Sequence, residues 1–198
     1  MVQLLRVQGP TGAFAERLSV FVYFDDADGA SDFSSISVTD DTTGYVWNIL
    51  PDNALVRLRG NDRWTGSNSL AAPGDAKIPS GSYTVTVSDL AGNESIQTIK
   101  LVRPDFPEYA PVAFTVNGDS WTLERNSNKS AFSRTYLLMY NAQSQLVYSW
   151  LLPNNNDPTD SGTIETLRSY AGDVSTVQCY TENADGSAGV LLTPVNIE

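Results

Sequence analysis

The chain has 198 residues, of which 12 are Lys or Arg and 23 are Asp or Glu, so its formal net charge is -11. Hydrophobic residues make up 41% of the sequence, which is enough to bury one core or two modest ones. The acidity argues against nucleic acid as a partner, because affinity for phosphates comes largely from Lys and Arg; the absence of His excludes Ser-His-Asp triads, two-His zinc sites and His proton shuttles.

Apolar and polar residues alternate with period two along much of the chain, and this pattern predicts β-strands. Residues 18–24 are apolar almost without interruption, which is typical of a central strand covered on both faces. The next two strands, 36–38 and 45–47, flank the polar segment 40–44, which contains a glycine and predicts a hairpin loop. Long helical periodicity is scarce, so we expect an all-β fold.

Residues 82–88 form the clearest predicted strand of the first half, with Tyr83, Val85 and Val87 facing the core and the intervening hydroxyl side chains facing water. Residues 104–111 then contain three prolines, which remove amide donors and fix φ. We therefore predict a first domain at 1–103, a semi-rigid linker at 104–111 and a second domain at 112–198.

The second half repeats the pattern of the first. Strands are predicted at 112–116 and 120–123, and residues 136–140 and 146–150 flank a polar turn. Tyr148 and Trp150 stand 103 positions after Tyr45 and Trp47, a spacing of one domain length that favours two copies of one fold. The segments 173–180 and 190–197 complete a last hairpin, whose connection carries the turn sequence Asn-Ala-Asp-Gly at 183–186.

The segment 78–95 reads Ile-Pro-Ser-Gly-Ser-Tyr-Thr-Val-Thr-Val-Ser-Asp-Leu-Ala-Gly-Asn-Glu-Ser. It resembles bacterial immunoglobulin-like modules, which often carry Gly-x-Tyr-x-Val-x-Val followed by Asp-x-Ala-Gly-Asn, and fibronectin type III repeats share part of the pattern. The resemblance implies two tandem immunoglobulin-like β-sandwich domains, and a hydroxyl of Tyr83 bonded to nearby backbone as in a tyrosine corner. It also implies a bacterial surface or periplasmic protein that serves as an adhesin, spacer or accessory binding domain. The pilus chaperone, another pair of such domains, is disfavoured by the acidity.

Four carboxylates, Asp25, Asp26, Asp28 and Asp32, follow the predicted strand 18–24 and suit a structural calcium ion. The alternative is a solvated acidic loop, because the segment lacks the spacing of an EF-hand. The polar loop 154–160 has the same two interpretations. We predict no catalytic residue, no cofactor and no metal ligand beyond this possible calcium.

Three of the four tryptophans, Trp47, Trp121 and Trp150, lie in strand-like segments where core packing is expected. Trp64 lies between glycines and polar residues at 60–66, so we expect it to be the most exposed indole and the best candidate for a binding surface. Among the cations, Arg57, Arg59 and Arg63 form a basic stripe that suits either an anion or neighbouring carboxylates.

Cys179 is the single cysteine and is predicted to be a small buried hydrophobe, because no neighbouring base is present to lower the pKa of its thiol. The expected function is a non-catalytic binding, adhesion or spacer module with a protein or glycan partner. A carbohydrate-binding module that uses an exposed aromatic ring and a hydrolase that uses two carboxylates are the alternatives. Only three lysines are present, which is common in exported bacterial modules, and the sequence contains no membrane span. Residues 1–10 do not form a signal peptide, so export would require a targeting segment outside this sequence.

Overall fold

The computed structural model describes residues 1–23, 32–59, 62–126, 132–153 and 157–197, and the side chains of residues 58 and 59 lie outside this description. The fold is mostly β, which confirms the all-β class. In the first half the strands are β1 (Val2–Gln8), β2 (Phe14–Tyr23), β3 (Phe33–Asp40), β4 (Val46–Ile49), β5 (Leu55–Arg59), β6 (Asp62–Leu70), β7 (Gly81–Asp89) and β8 (Glu94–Leu101). In the second half the elements are β9 (Val112–Asn117), β10 (Ser120–Arg125), β11 (Phe132–Tyr140), β12 (Leu146–Leu151), β13 (Thr159–Thr163), helix α1 (Ile164–Ala171), β14 (Thr176–Asn183), β15 (Ala188–Leu191) and β16 (Val195–Asn196).

The chain divides into two compact units. Unit 1 comprises Met1–Leu4 and Glu16–Pro104, and unit 2 comprises Leu5–Ala15 and Asp105–Glu198. Unit 2 thus contains residues 5–15, which the sequence analysis placed in the first domain. Within unit 2 this segment is held by Thr193, whose amide donates to the Gln8 side-chain oxygen over 3.3 Å.

Unit 1 is built from two antiparallel sheets. One has the strand order β4-β3-β7-β8, and the other contains β2, β6 and β5 in that order. The sequence predicted β2 as a strand covered on both faces, and residues 18–21 are all buried. On β7 the predicted alternation is confirmed for Tyr83 and Val85, which are buried, whereas Val87 is half-buried. The core therefore lies where the period-two pattern placed it.

The tyrosine corner predicted from the resemblance is present in unit 1. The Tyr83 side chain is fully buried, and its hydroxyl donates to the carbonyl of Pro79 over 2.7 Å. Burial, and secondarily the charge of Asp40, raises the pKa of Tyr83 to about 12. The predicted hairpin loop is also confirmed, because the Asp40 carboxylate accepts from the Thr42 amide over 2.9 Å and Gly44 adopts a φ of 72°.

Unit 1 contains a partly buried ion pair that the sequence analysis did not predict. The carboxylate of Glu16 is bound by Arg103, and one of its oxygens also accepts from the amide of Ile78 over 2.9 Å. The Arg103 guanidinium donates to the Ile78 carbonyl as well, over 2.8 Å. The hydrogen bond to Glu16 raises the pKa of Arg103. This arrangement fixes the start of the proline-rich segment onto unit 1.

The proline-rich segment contains no strand, since β8 ends at Leu101 and β9 begins at Val112. In unit 2 the ring of Phe106 stacks on Phe132 with centroids 5.6 Å apart, and the carbonyl of Pro107 accepts from Arg6. Phe106 and Pro107 of the predicted linker therefore contact side chains of unit 2.

Unit 2 also has two sheets. One has the order β12-β11-β14-β15, with β16 paired to β14, and the other has the order β13-β10-β9. A core cluster joins residues of both sheets, including Trp121, Leu123, Leu137 and Val177. The fully buried Leu167 adds a helical side chain to it. Helix α1 is a departure from the sequence prediction: Thr163 caps its start by accepting from the Thr166 amide over 3.2 Å.

The last hairpin differs from its prediction in its bounds. The first strand of this hairpin, β14, runs through position 180, where the sequence analysis ended it, and continues to Asn183. The predicted turn sequence is confirmed, since Gly186 has a φ of 73° and the Asp185 carboxylate accepts from the Ser187 amide over 2.9 Å. Of the helices in the described ranges, none has the length and apolar character that a membrane crossing requires.

Candidate functional site

Trp64 lies on a strand, β6, although the sequence analysis did not include it among the tryptophans of strand-like segments. The antiparallel ladder sets it opposite Tyr23 of β2 on one side and Arg57 of β5 on the other. Directly opposed residues project from the same face of a sheet, so the three side chains form a row across it. The Tyr23 and Trp64 ring centroids are 5.8 Å apart. We call Tyr23, Trp64, Arg57 and Phe21 the β6 surface.

Phe21 belongs to the same face and is fully buried. Its opposite residue on β6 is Gly66, and a Cβ at that glycine would lie 1.9 Å from the carbonyl oxygen of Val20. The guanidinium of Arg57 lies 3.9 Å from the centroid of the Phe21 ring. Such a cation-π contact is worth about 0.5–2 kcal/mol.

The exposed part of the β6 surface is the Tyr23 ring, at 47% exposure, whereas Trp64 is half-buried. The indole Nε1 of Trp64 is buried and has no hydrogen-bond partner among the described residues. Aromatic rings beside a guanidinium suit the binding of apolar or planar groups, including the C–H face of a sugar.

The predicted basic stripe is divided between two faces. Arg57 lies on the face of the β6 surface, and the described contact of its guanidinium is with an aromatic ring. Arg63 directly precedes Trp64 on β6, so it projects from the opposite face, where it is exposed. The side chain of Arg59 lies outside the described part of the chain.

A second aromatic surface lies on unit 2 and was missed because one member is on the unpredicted helix. Tyr148 of β12 stacks on Tyr170 of α1, with centroids 5.8 Å apart and an interplanar angle of 6°. The ring centroid of Trp150 lies 5.0 Å from that of Tyr170 and 6.0 Å from that of the buried Trp121. Tyr148 and Tyr170 are both exposed. The i, i+3 and i+6 placement of Ile164, Leu167 and Tyr170 in the sequence was the available signal.

The other tryptophans follow the expectation of core packing in part. Trp47 is buried, and its Nε1 donates to the carbonyl of Ala71 over 2.7 Å. Trp121 is buried beneath Gly162, where a Cβ would lie 2.9 Å from its ring. Trp150 is half-buried.

Of the predicted calcium ligands, Asp25, Asp26 and Asp28 lie outside the described residues. Asp32 is described, and its backbone carbonyl accepts from the Leu90 amide over 2.9 Å. Within the described ranges, no group of three or more Cys, Asp or Glu side chains is placed to hold a metal ion. Residues 154–156 of the second polar loop are also outside the description, and Asp160 forms an ion pair with Arg125.

Cys179 is buried, as predicted. Burial raises the pKa of its thiol to about 12, so the thiolate needed for nucleophilic or redox chemistry is not formed near neutral pH.

Comparison with known proteins gives only distant similarity. No protein-family model matches the chain, and no curated protein matches its sequence. Among solved structures, dimeric latent PorU from Porphyromonas gingivalis is similar over 90% of this chain and 18% of its own, with 13% identity and a TM-score of 0.33. Murine CEACAM1b is similar over 100% of this chain and 99% of its own, with 12% identity and a TM-score of 0.27. The Group B Streptococcus pullulanase SAP is similar over 100% of this chain and 23% of its own, with 11% identity and a TM-score of 0.26. These values are too low to assign a family.

Proposed function

We propose that each unit is an immunoglobulin-like β-sandwich, so that the chain is a tandem pair. The strand orders β4-β3-β7-β8 and β12-β11-β14-β15 support this proposal. One sheet of each unit consists of two hairpins, β3–β4 and β7–β8 in unit 1 and β11–β12 and β14–β15 in unit 2. The strands that precede the first hairpin or lie between the two hairpins form the second sheet. The tyrosine corner at Tyr83 is a further feature of such sandwiches.

We infer that the protein is a non-catalytic binding module of an exported bacterial protein, with the β6 surface as its contact surface. The observation that carries this proposal is the row of Tyr23, Trp64 and Arg57, in which an exposed ring lies beside an indole whose buried N–H has no described partner. Exposed aromatic side chains and arginines are also the residue types enriched in binding hot spots.

The experiment is binding of the intact chain to an array of immobilised polysaccharides and extracellular proteins, repeated with Tyr23→Ala. We expect the variant to lose at least about tenfold in affinity for whatever the wild type binds, as removal of a central aromatic contact does. The matched control is Tyr45→Ala, which removes another exposed tyrosine of unit 1, at 41% exposure. Equal binding by Tyr23→Ala and wild type would refute the assignment of the surface, and loss in the control alone would move the contact to the turn before β4.

A carbohydrate ligand is the second candidate, favoured by the exposure of the Tyr23 ring beside Trp64. A sugar stacked on these rings would change the emission of Trp64, whereas a glycan bound elsewhere would not. Titration of a bound oligosaccharide should therefore shift tryptophan emission in the wild type and not in Trp64→Phe. A spacer without a ligand would bind nothing on the array while both units remain folded.

A further inference from the structure

β12 is the terminal strand of its sheet in unit 2. The amide of Leu152 donates to the carbonyl of Thr135 over 2.9 Å. This bond identifies Leu152 and Thr135 as a hydrogen-bonded pair of the antiparallel ladder between β12 and β11. Hydrogen-bonded and non-hydrogen-bonded pairs alternate, so Ser149 opposite Leu138 and Leu151 opposite Tyr136 are non-hydrogen-bonded pairs. The backbone N–H and C=O groups of Ser149 and Leu151 therefore point away from β11. An extended backbone of another chain offers donors and acceptors at that spacing.

The side chains of this edge are apolar and accessible. Leu146, Val147 and Leu151 are exposed, Leu151 at 50%. Two other terminal strands carry charge, β8 with Glu94 and Lys100 and β13 with Asp160, whereas β4 and β9 are uncharged like β12. Charged side chains on an edge oppose pairing with another chain, and β12 has none.

The charge distribution indicates which strand would pair with this edge. No charged residue occurs between Arg134 and Asp157, although the chain has a net charge of -11. A cationic partner would be expected to meet carboxylates, and this stretch offers none. Two copies of the chain repel each other through most of their surface, and the uncharged β11–β12 hairpin is a place where they can meet without opposing like charges.

We propose that β12 pairs antiparallel with β12 of a second copy about a two-fold axis, which joins the two sheets edge to edge. The contact is isologous, so the outward groups of Ser149 and Leu151 in each copy face the same edge of the other. A strand of six residues buries less area than a standard interface, and the dimer is therefore weak and concentration-dependent. This inference does not depend on the β6 surface, which belongs to unit 1.

The test is sedimentation equilibrium of the intact chain over a concentration series. We expect the mean mass to rise from 21.5 kDa towards twice that value. Leu151→Lys places a charge at the edge and should raise the dimer dissociation constant at least about tenfold. Ser149→Pro deletes an outward N–H and leaves the bonds to β11 intact, because proline is tolerated on an edge strand whose N–H faces solvent. It should weaken the dimer similarly.

The matched control is Ile96→Lys, which puts the same charge on an exposed residue of β8, the terminal strand of a sheet in unit 1. Its dimer should be unchanged. A wild type that stays at monomer mass up to about 1 mM, far above the dissociation constant of a specific weak dimer, would overturn the proposal. So would a dimer that survives in both β12 variants, or one that is lost in Ile96→Lys. Far-UV circular dichroism of each variant confirms that loss of the dimer is not loss of the fold.

Discussion

Replacing Tyr83 with Phe removes one oxygen atom from the interior of unit 1. The lost hydrogen bond to the Pro79 carbonyl is 2.7 Å long and belongs to a fully buried side chain. A hydrogen bond of this kind contributes about 1 kcal/mol. For a unit of about 100 residues this corresponds to a melting temperature lower by roughly 4–8 °C.

The same hydroxyl makes stability depend on alkaline pH. The pKa of Tyr83 is raised from 10.0 to about 12, chiefly by burial and then by the charge of Asp40. A raised pKa means that the folded state holds the proton more tightly than the unfolded state. Its contribution is therefore complete below pH 10 and is lost as the pH rises towards 12. A shift of two pKa units corresponds to about 3 kcal/mol.

The assay is guanidinium unfolding of wild type and Tyr83→Phe between about pH 8 and pH 12, followed by tryptophan emission. Trp47 reports on this site, since its ring centroid is 6.3 Å from that of Tyr83. The wild type should be the more stable protein at the lower pH, and the difference should vanish or reverse at the upper one. Other ionisations, including that of Cys179, are common to both proteins and cancel in the difference. Parallel pH profiles would refute the argument, as would equal stability at the lower pH; Tyr45→Phe, at an exposed tyrosine, is the control.

Three further substitutions test local features. Arg103→Ala leaves the buried Glu16 carboxylate without its cation and should cost about 3 kcal/mol or more in guanidinium unfolding, whereas a cost below about 1 kcal/mol would show that the pair is not buried in solution. Gly66→Ala places a Cβ 1.9 Å from the Val20 carbonyl oxygen and should lower the melting temperature sharply or prevent folding; a wild-type melting curve would contradict this close approach. Thr163→Ala removes the cap of α1 and should cost about 1 kcal/mol in denaturant unfolding, with Thr163→Ser as a control that keeps the cap.

The features that the sequence predicted correctly depend on local chemistry. Tyr83 and Pro79 are four residues apart, and the loop 40–44 closes on the carboxylate of Asp40. In both cases the donor and acceptor lie within one turn or strand, so residue types and their spacing fix the geometry. The prediction that segments form strands also depends on nearby residues alone, because period-two alternation does not depend on which strands pair.

The features that it missed depend on distant residues. Glu16 and Arg103 are 87 positions apart, and either residue by itself is typical of a solvated surface. Trp64 was not assigned to a strand because glycines surround it, yet Gly66 allows β6 to approach β2 closely. Helix α1 has only eight residues, so its i, i+3 and i+6 spacing is a weak signal, although Thr163 and Gly172 bound it as a cap and a terminator.

The registers of the β3–β4 and β11–β12 hairpins do not place the aromatic residues 103 positions apart at equivalent positions. Trp47 lies opposite Val38, which is two residues before Asp40. Tyr148 lies opposite Met139, which is two residues before Asn141. The side-chain oxygens of Asp40 and Asn141 each accept from the amide two residues further along the chain. Aligned by these loops, the counterpart of Trp47 is Tyr148 and not Trp150. The two positions differ in what covers them. Trp47 is 8% exposed and bonded to a backbone carbonyl, whereas Tyr148 is 37% exposed and stacks on an aromatic ring. The position is therefore buried in the core of unit 1, where it is Trp47, and exposed at the surface of unit 2, where it is Tyr148. Tyr148 lies on β12, the strand that we propose as the dimer edge.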